Sequence, residues 1–191
     1  MQFKLFALTA AVTISARETC EWTAGVSGAQ QACLPGYYMK GICGSGLRAT
    51  CHTGLSPLAP KHDFQVNCCT DTRAAYTPGT CGEFVTGSSD TGAVCNTFET
   101  VFGVCLSNAR GECEAARSAL PKAYAMQCCA NDGSMNVDYE SCDWKYGGDG
   151  DNIDCGSNTI LAGICGSGNG EDCATAGNST AAFGAYCCPW N

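Results

Sequence analysis

The sequence predicts a mainly all-β, disulfide-rich fold that consists of three tandem repeats with six cysteines each. One observation is the cysteine spacing, because the first cysteines of the repeats, Cys20, Cys81 and Cys142, stand 61 residues apart. Another is the alternation of apolar and polar side chains before the adjacent cysteine pair that closes each repeat. Alternation with a period of two indicates a β-strand with one buried face.

Residues 1–16 have the pattern of a secretory signal peptide, with one lysine, an apolar run and small residues at the end. The run is shorter than the roughly 20 apolar residues that span a bilayer. We therefore expect cleavage after Ala16 and a secreted, extracellular protein that does not insert into membranes. The remaining chain divides into repeat 1 (residues 17–69), repeat 2 (70–129) and repeat 3 (130–191).

All 18 cysteines follow residue 16, and their even number predicts nine disulfides in an oxidising compartment. Zinc is the rival explanation, but no two cysteines have the C-x2–4-C spacing that zinc sites favour. The two histidines, His52 and His62, both lie in repeat 1. We therefore expect no metal and no other cofactor. The predicted disulfide cysteines are Cys20, Cys33, Cys43, Cys51, Cys68, Cys69, Cys81, Cys95, Cys105, Cys113, Cys128, Cys129, Cys142, Cys155, Cys165, Cys173, Cys187 and Cys188.

Two strands are predicted in each repeat. Apolar runs that end in a glycine-containing turn predict a strand at residues 39–43, 101–105 and 161–165. The alternating stretches at residues 64–68, 124–128 and 183–187 predict the closing strands. Adjacent cysteines on a strand point to opposite faces, so each is expected to take a different partner. The pairing itself stays open, since six cysteines allow 15 connectivities.

Residues 112–120 are rich in helix formers and stop before a proline, which predicts a short helix in repeat 2. The linkers at residues 70–80 and 130–141 contain Pro-Gly and Asn-Asp-Gly turn signals. Linkers of this length suit three separate beads, and they also allow three sheets to close around a pseudo-threefold axis.

Negative charge is concentrated in repeat 3, which contains nine acidic residues and one basic residue. A polyanionic partner such as nucleic acid is therefore disfavoured. The acidic run at residues 149–154 departs from the EF-hand calcium pattern, since Asp154 takes its glycine position and Ile160 that of its glutamate. We interpret the run as a solvated acidic loop.

Aromatic residues are the candidate ligand-binding positions. Trp22 and Trp144 each stand two residues after the first cysteine of their repeat, and Phe84 is near the equivalent place in repeat 2. Exposed aromatic rings suit stacking on sugars, whereas packing over a disulfide in a small core is the commoner use of such rings. Trp190 is less constrained by the repeat, so its ring can be exposed, as can those of Tyr37, Tyr38 and Tyr146.

Asn178 is the acceptor of the N-glycosylation sequon Asn-Ser-Thr and lies in the variable last gap of repeat 3. Catalytic motifs are missing from the sequence, which has no G-x-S-x-G elbow, no H-E-x-x-H and no P-loop. A cysteine nucleophile would need a thiol outside the disulfide set. We therefore expect a protein that is not an enzyme.

The amino terminus and the cysteine density resemble those of fungal-type small secreted cysteine-rich proteins. The stretches at residues 33–44, 95–106 and 155–166, with the closing cysteine pairs, are similar to the repeats of vitelline membrane outer layer proteins. That resemblance implies three Greek-key sheets around a pseudo-threefold axis, a β-prism-like arrangement, and an association with extracellular coats and carbohydrate. This chain departs from the family in its six cysteines per repeat, and no site residue is transferred.

The resulting expectation is a binding or coat protein at a cell wall or extracellular matrix that recognises carbohydrate through three copies of one weak site. Three copies would supply avidity without a strong single contact. One alternative is a structural protein that associates with itself, because repeated modules with unpaired strand edges can join head to tail. The other is a diffusible effector, toxin or protease inhibitor.

Overall fold

The computed structural model describes residues 18–25, 29–44, 51–52, 61–62, 64–87, 92–106, 124–148, 150–166, 173 and 183–191, which form 14 β-strands and no helix. The strands are β1 (Glu18–Gly25), β2 (Gln31–Ala32), β3 (Tyr38–Gly44), β4 (Cys51–His52), β5 (Lys61–His62), β6 (Phe64–Asp71), β7 (Pro78–Gly87), β8 (Gly92–Val94), β9 (Glu99–Leu106), β10 (Tyr124–Asn131), β11 (Asp143–Gly147), β12 (Asn152–Asp154), β13 (Thr159–Cys165) and β14 (Phe183–Pro189). The mainly all-β prediction is confirmed. The predicted signal peptide, the predicted helix and the Asn178 sequon lie outside the described residues.

Twelve strands form three four-stranded antiparallel sheets, and each sheet borrows one outer strand from another repeat. Sheet 1 has the order β1-β6-β3-β12, sheet 2 the order β7-β10-β9-β2, and sheet 3 the order β11-β14-β13-β8. Repeat 1 thus lends β2 to sheet 2, repeat 2 lends β8 to sheet 3, and repeat 3 lends β12 to sheet 1. The exchange closes into a cycle that fits the predicted pseudo-threefold arrangement. Separate beads are excluded, because no sheet is complete without its neighbour.

The main core lies between the three sheets and is built from equivalent positions of the repeats. These residues are fully or almost fully buried, and each triplet contributes one side chain from each sheet. The triplets are Met39, Val101 and Leu161; Ile42, Val104 and Ile164; Phe64, Tyr124 and Phe183; Val66, Met126 and Ala185; and Cys68, Cys128 and Cys187. Both predicted strands of each repeat therefore send one face to this core, as their sequence patterns require.

A glycine recurs two residues before the third cysteine of each repeat, as Gly41, Gly103 and Gly163, and it lies where the borrowed strand passes. A Cβ atom on Gly41 would lie 2.4 Å from the carbonyl oxygen of Ile153 in β12, and one on Gly163 would lie 2.6 Å from that of Ala93 in β8. Both distances are below any real Cβ contact, so a side chain would displace the strand. The glycine is repeated because another repeat occupies the space of its side chain.

A β-bulge precedes this glycine in each sheet, and Lys40 and Ala162 are the bulged residues in sheets 1 and 3. An extra residue turns its carbonyl away from the regular ladder. The Cys155 amide donates to the Lys40 carbonyl at 3.0 Å, and the Cys95 amide donates to the Ala162 carbonyl at 2.8 Å. The bulges thus bind the ends of the borrowed strands.

The disulfides are nested, with the first cysteine bonded to the sixth and the second to the fifth in every repeat. The third is bonded to the fourth in repeats 1 and 3, and Cys105 of repeat 2 is also disulfide-bonded. The eight bonds seen in full are Cys20–Cys69, Cys33–Cys68, Cys43–Cys51, Cys81–Cys129, Cys95–Cys128, Cys142–Cys188, Cys155–Cys187 and Cys165–Cys173. Adjacent cysteines take different partners, as predicted. Disulfides in this number are typical of extracellular proteins.

A second core, the linker cluster, forms where the two linkers and the carboxyl-terminal residues meet. Its buried members are Tyr38, Cys69, Ala74, Tyr76, Met135, Ile160, Ala162, Cys188 and Trp190. The linkers are hydrogen-bonded to one another, with the Ser134 amide donating to the Ala75 carbonyl at 3.0 Å. Backbone hydrogen bonds in both directions join Asn136 to Asn191.

Across the part of the chain described, no helix is long and apolar enough to cross a membrane.

Candidate ligand-binding surface

The aromatic positions after the first cysteine of each repeat are structurally equivalent. Trp22 pairs with Asn67 in sheet 1, and Trp144 pairs with Tyr186 in sheet 3. Phe84 takes the same place in sheet 2, opposite Gln127. Repeat 2 has one residue more than the other repeats between its first and second cysteines. A register shift between Gln127 and Cys129 accommodates it. The equivalence inferred from the sequence is therefore confirmed.

These aromatic side chains lie on the outer faces of the sheets. The residues on either side of Trp144 in β11 are Asp143 and Lys145. They pair with Cys187 and Ala185, which both belong to the main core. Alternation along a strand sends Trp144 and Tyr186 to the other face. Both are partly exposed, as are Trp22 and Phe84.

Sheet 3 carries a cluster of three aromatic rings on this outer face, which we call the aromatic patch: Trp144, Tyr146 and Tyr186. The rings of Trp144 and Tyr146 are nearly parallel, with centroids 6.2 Å apart and planes inclined by 14°. The rings of Trp144 and Tyr186 are 5.0 Å apart and inclined by 42°. Three partly exposed rings thus cover two neighbouring strands.

The floor of the aromatic patch explains why it forms on sheet 3. A Cβ atom on Gly184 would lie 2.5 Å from Cys165 Sγ, 3.1 Å from Tyr146 Cδ1 and 3.3 Å from Trp144 Cε3. The rings therefore occupy space that a side chain would fill. Trp144 and Tyr146 pack against the buried Cys165–Cys173 disulfide, so the commoner interpretation, an aromatic over a disulfide, is confirmed for Trp144.

Tyr186 is a member of the patch that the sequence analysis missed. The alternation that sends Phe183, Ala185 and Cys187 inward also sends Tyr186 outward, so the signal was present in the closing strand. The equivalent residues of the other repeats are Asn67 and Gln127, which offered no aromatic pattern to compare.

A groove of about 320 Å³ adjoins the patch between β11 and β12. Its lining residues are Lys145, Tyr146, Gly147, Asp151, Asn152, Ile153 and Asp154. The Lys145 ammonium donates to the backbone carbonyls of Asp154, at 3.1 Å, and of Cys155. The Asp151 carboxylate accepts the Gly148 amide at 2.8 Å. Tyr146 belongs to both groove and patch, so polar groups and stacking surfaces are continuous here.

Burial, and after it the nearby Asp143 carboxylate, raises the pKa of Tyr146 above its ordinary value of 10.0. A tyrosine with a raised pKa keeps its proton at neutral pH. The hydroxyl at the border between the patch and the groove is therefore neutral at physiological pH.

The acidic run is partly a strand, so its interpretation as a solvated loop is wrong for residues 152–154. They form β12, and Ile153 is buried in the main core because sheet 1 takes this segment as its outer strand. The Asp154 carboxylate accepts a 2.7 Å bond from Asn67 Nδ2 and lies 3.7 Å from Lys40 Nζ. Asp154 thereby links repeat 3 to repeat 1. Asp149 lies outside the described residues.

A group with metal-ligand geometry, Glu18, Cys20 and Cys69, is committed to other bonds. The two sulfurs form a disulfide with each other. The Glu18 carboxylate accepts hydrogen bonds from the Tyr38 hydroxyl and, at 2.7 Å, from Lys40 Nζ. This group therefore has no thiolate to offer a metal. The side chains of His52 and His62 lie outside the described part of the structure.

Trp190 is buried in the linker cluster, so the expectation of an exposed ring is wrong. The side chain is 2% exposed, packs edge-on against Tyr38 at 5.9 Å, and lies under the Arg73 guanidinium at 4.9 Å. The linker covers it, since Val137 forms a β-bridge with Trp190. Tyr38 is buried for the same reason, whereas Tyr37 and Tyr146 are partly exposed.

Comparisons of the chain with known protein families, with curated proteins and with solved structures found no match. The resemblance to fungal-type secreted cysteine-rich proteins and to vitelline membrane outer layer proteins therefore stays a prediction. The aromatic patch and its groove are the features from which a function can be argued.

Proposed function

We propose that the protein is a secreted, non-enzymatic binding protein of a cell wall or extracellular matrix, and that it recognises carbohydrate through the aromatic patch. The observation that supports this proposal is the cluster of three partly exposed rings on one sheet face. Aromatic rings offer large, rigid apolar surfaces, and the apolar C–H faces of a sugar chain are the natural partner for such surfaces.

The groove beside the patch supplies the polar half of the site. A sugar stacked on Tyr146 would place its hydroxyl groups near Asp151 and Asn152, both of which are exposed. A few polar groups next to an apolar surface fix the orientation of a ligand. The patch is open rather than enclosed, which favours side-on binding of a polymer over capture of a free monosaccharide.

The complete patch belongs to sheet 3, so we propose one binding surface instead of three equal copies. In the position of Tyr146 the other sheets have Ala24 and Thr86, and in that of Tyr186 they have Asn67 and Gln127. Trp22 and Phe84 lack these aromatic neighbours. Avidity within one molecule is therefore not part of the proposed mechanism.

The first test is co-sedimentation of the purified protein with chitin, β-glucan and cellulose. Trp144→Ala is expected to weaken binding to the recognised polymer at least about tenfold, which corresponds to about 1.4 kcal/mol. The matched control is Trp22→Ala, because it removes the same residue type from the equivalent strand position of sheet 1. Equal loss in both variants, or binding of the wild type to none of the polymers, would contradict the proposal.

A second variant protects this test against loss of folding. Trp144 packs on a disulfide, so its removal can destabilise sheet 3, whereas Tyr186 is absent from that packing cluster and packs against the linker cluster instead. We expect Tyr186→Ser to lower the unfolding midpoint and to weaken binding at temperatures where the variant is fully folded. Unchanged binding in a folded Tyr186→Ser variant would count against the patch.

Tryptophan fluorescence locates the contact directly. In a Trp22→Phe variant, Trp144 is the partly exposed tryptophan and Trp190 is buried. Soluble oligosaccharide from the bound polymer should then reduce quenching by acrylamide. If the oligosaccharide binds and quenching is unchanged, the ligand occupies another surface.

A further inference from the structure

Phe98 is an exposed aromatic residue in a backbone conformation that is unfavourable for it. The side chain is 75% exposed, and its φ angle is 73°. The equivalent turn positions of repeats 1 and 3 hold Gly36 and Asn158, at φ angles of 87° and 55°. Glycine and asparagine tolerate this left-handed region, whereas a bulky residue is an outlier there. Repeat 2 thus places a large apolar ring where its sister repeats place residues suited to the turn.

The Phe98 ring is held in place from one side. Tyr139 packs against it edge-on at 5.9 Å between centroids. The Asn131 amide donates to the Phe98 carbonyl at 3.1 Å. Such strained positions persist only when their surroundings hold them, and they cluster at functional sites. Phe98 is therefore a fixed, protruding side chain.

A groove of complementary character lies on repeat 1, between β1 and β2, and we call it the Leu34 groove. Its volume is about 250 Å³, and it is lined by Glu21, Thr23, Gln31, Ala32, Leu34, Tyr37 and Cys68. Leu34 at its rim is 72% exposed. The corresponding groove of repeat 3 is lined by charged side chains instead. Repeat 1 therefore carries an apolar form of this groove that has room for a phenyl ring.

We propose that Phe98 of one molecule inserts into the Leu34 groove of a second copy. Three large apolar side chains are exposed among the described residues, and this contact would cover two of them, Phe98 and Leu34. The two surfaces differ and both are present on every copy, so the contact is heterologous. Heterologous contacts build rings or open filaments rather than closed two-fold dimers.

Charge gives the contact a defined dependence on salt. The protein has a formal net charge of −8, Glu21 lines the groove, and Glu99 follows Phe98 in sequence. Like charges repel at low ionic strength, and salt screens that repulsion beyond about 8–10 Å at 0.10–0.15 M. Association through Phe98 should therefore strengthen as salt is added, whereas an ion-paired contact would weaken.

The test is sedimentation velocity of the full-length mature protein over a wide concentration range, at low and high salt. The wild type should grow in average mass with concentration, and more so at high salt. Phe98→Asn and Leu34→Asn should remain monomeric. Asparagine suits both sites, because Asn158 and Asn96 occupy the equivalent positions of other repeats. A wild type that stays monomeric throughout, or variants that associate like the wild type, would overturn the proposal.

Mixing the two variants tests the pairing itself. Phe98→Asn keeps an intact groove and Leu34→Asn keeps an intact phenylalanine, so an equimolar mixture should form one-to-one dimers and stop there. A mixture that stays monomeric would overturn the heterologous contact. Both variants should still co-sediment with the polysaccharide, because their substitutions lie outside the aromatic patch, and this separates the outcome from that of carbohydrate binding.

Discussion

At the scale of single residues, position within a repeat decides what each aromatic side chain can do. Trp22 and Trp144 occupy the same strand position, yet Trp144 has two aromatic neighbours because Gly184 leaves space for the rings and Tyr186 stands opposite. The repeat pattern could therefore locate Trp144 from the sequence. Tyr186 was missed because its partners are polar, and Trp190 was misjudged because its burial comes from a linker outside the repeat pattern.

Tyr139 provides a prediction for alkaline pH. Burial, followed by the nearby Tyr76 and Glu99, raises its pKa to about 12. The unfolded side chain keeps the ordinary value of 10.0, so the neutral form favours the folded state. This contribution to stability is complete below pH 10 and is lost as the pH rises towards 12. Tyr139→Phe should therefore show a shallower loss of unfolding free energy across this window.

Urea unfolding of both proteins at pH 9 and at about pH 11.5 measures that difference. At neutral pH the variant should be as stable as the wild type or more stable, because the Tyr139 hydroxyl is buried and has no hydrogen-bond partner among the described residues. If the unfolding free energy of the wild type and of the variant fell equally between the two pH values, the pKa of Tyr139 would be the same in the folded and unfolded protein.

At the scale of strands, the borrowed segments were the part of the fold that sequence reasoning could not reach. The closing strands β6, β10 and β14 were predictable because four residues of alternating polarity precede each cysteine pair. The borrowed strands β2, β8 and β12 have only two or three residues, too few for a period, and their partners lie in other repeats. The repeated glycine is visible in the sequence, but the reason for it, the close approach of the borrowed strand, is visible only in the structure.

Gly163→Ala tests the role of that glycine. The new methyl group would meet the Ala93 carbonyl oxygen at 2.6 Å, and a backbone atom cannot rotate away. We expect a loss of about 2–3 kcal/mol in unfolding free energy, near the upper end of overpacking effects. Gly82→Ala is the matched control, because the nearest heavy atom to its Cβ lies 3.9 Å away. Equal urea midpoints for the two variants would contradict the proposed crowding.

At the scale of the whole molecule, the cyclic exchange makes the three repeats one cooperative unit. Each sheet depends on a strand from another repeat, and the main core takes side chains from all three. We expect a single unfolding transition for the intact protein, with circular dichroism and tryptophan fluorescence giving the same midpoint.

An isolated repeat is expected to fail as a folding unit. Residues 70–129 alone would lack β2 at the outer edge of sheet 2 and would leave β8 without its partner β13. The apolar inner face of sheet 2 would also lose its cover. Amide spectra of this fragment, with its disulfides oxidised, should show poor dispersion. A well-dispersed spectrum would show that the repeats are independent after all.

The direction of the strand exchange also orders events during synthesis. Repeat 1 contributes β2 to sheet 2, and repeat 2 contributes β8 to sheet 3, so both strands are made before the sheets that they join. Sheet 1, in contrast, needs β12 from the last repeat. Sheet 2 has all its strands once β10 is made, so the first repeat to leave the ribosome is completed after the second, and sheet 3 follows with β14. Before residues 152–154 are made, the outer edge of β3 has no partner strand, and nothing occupies the space beside Gly41 that β12 fills in the folded protein. The sheets of the nascent chain are therefore completed in an order that differs from the order in which the repeats are synthesised.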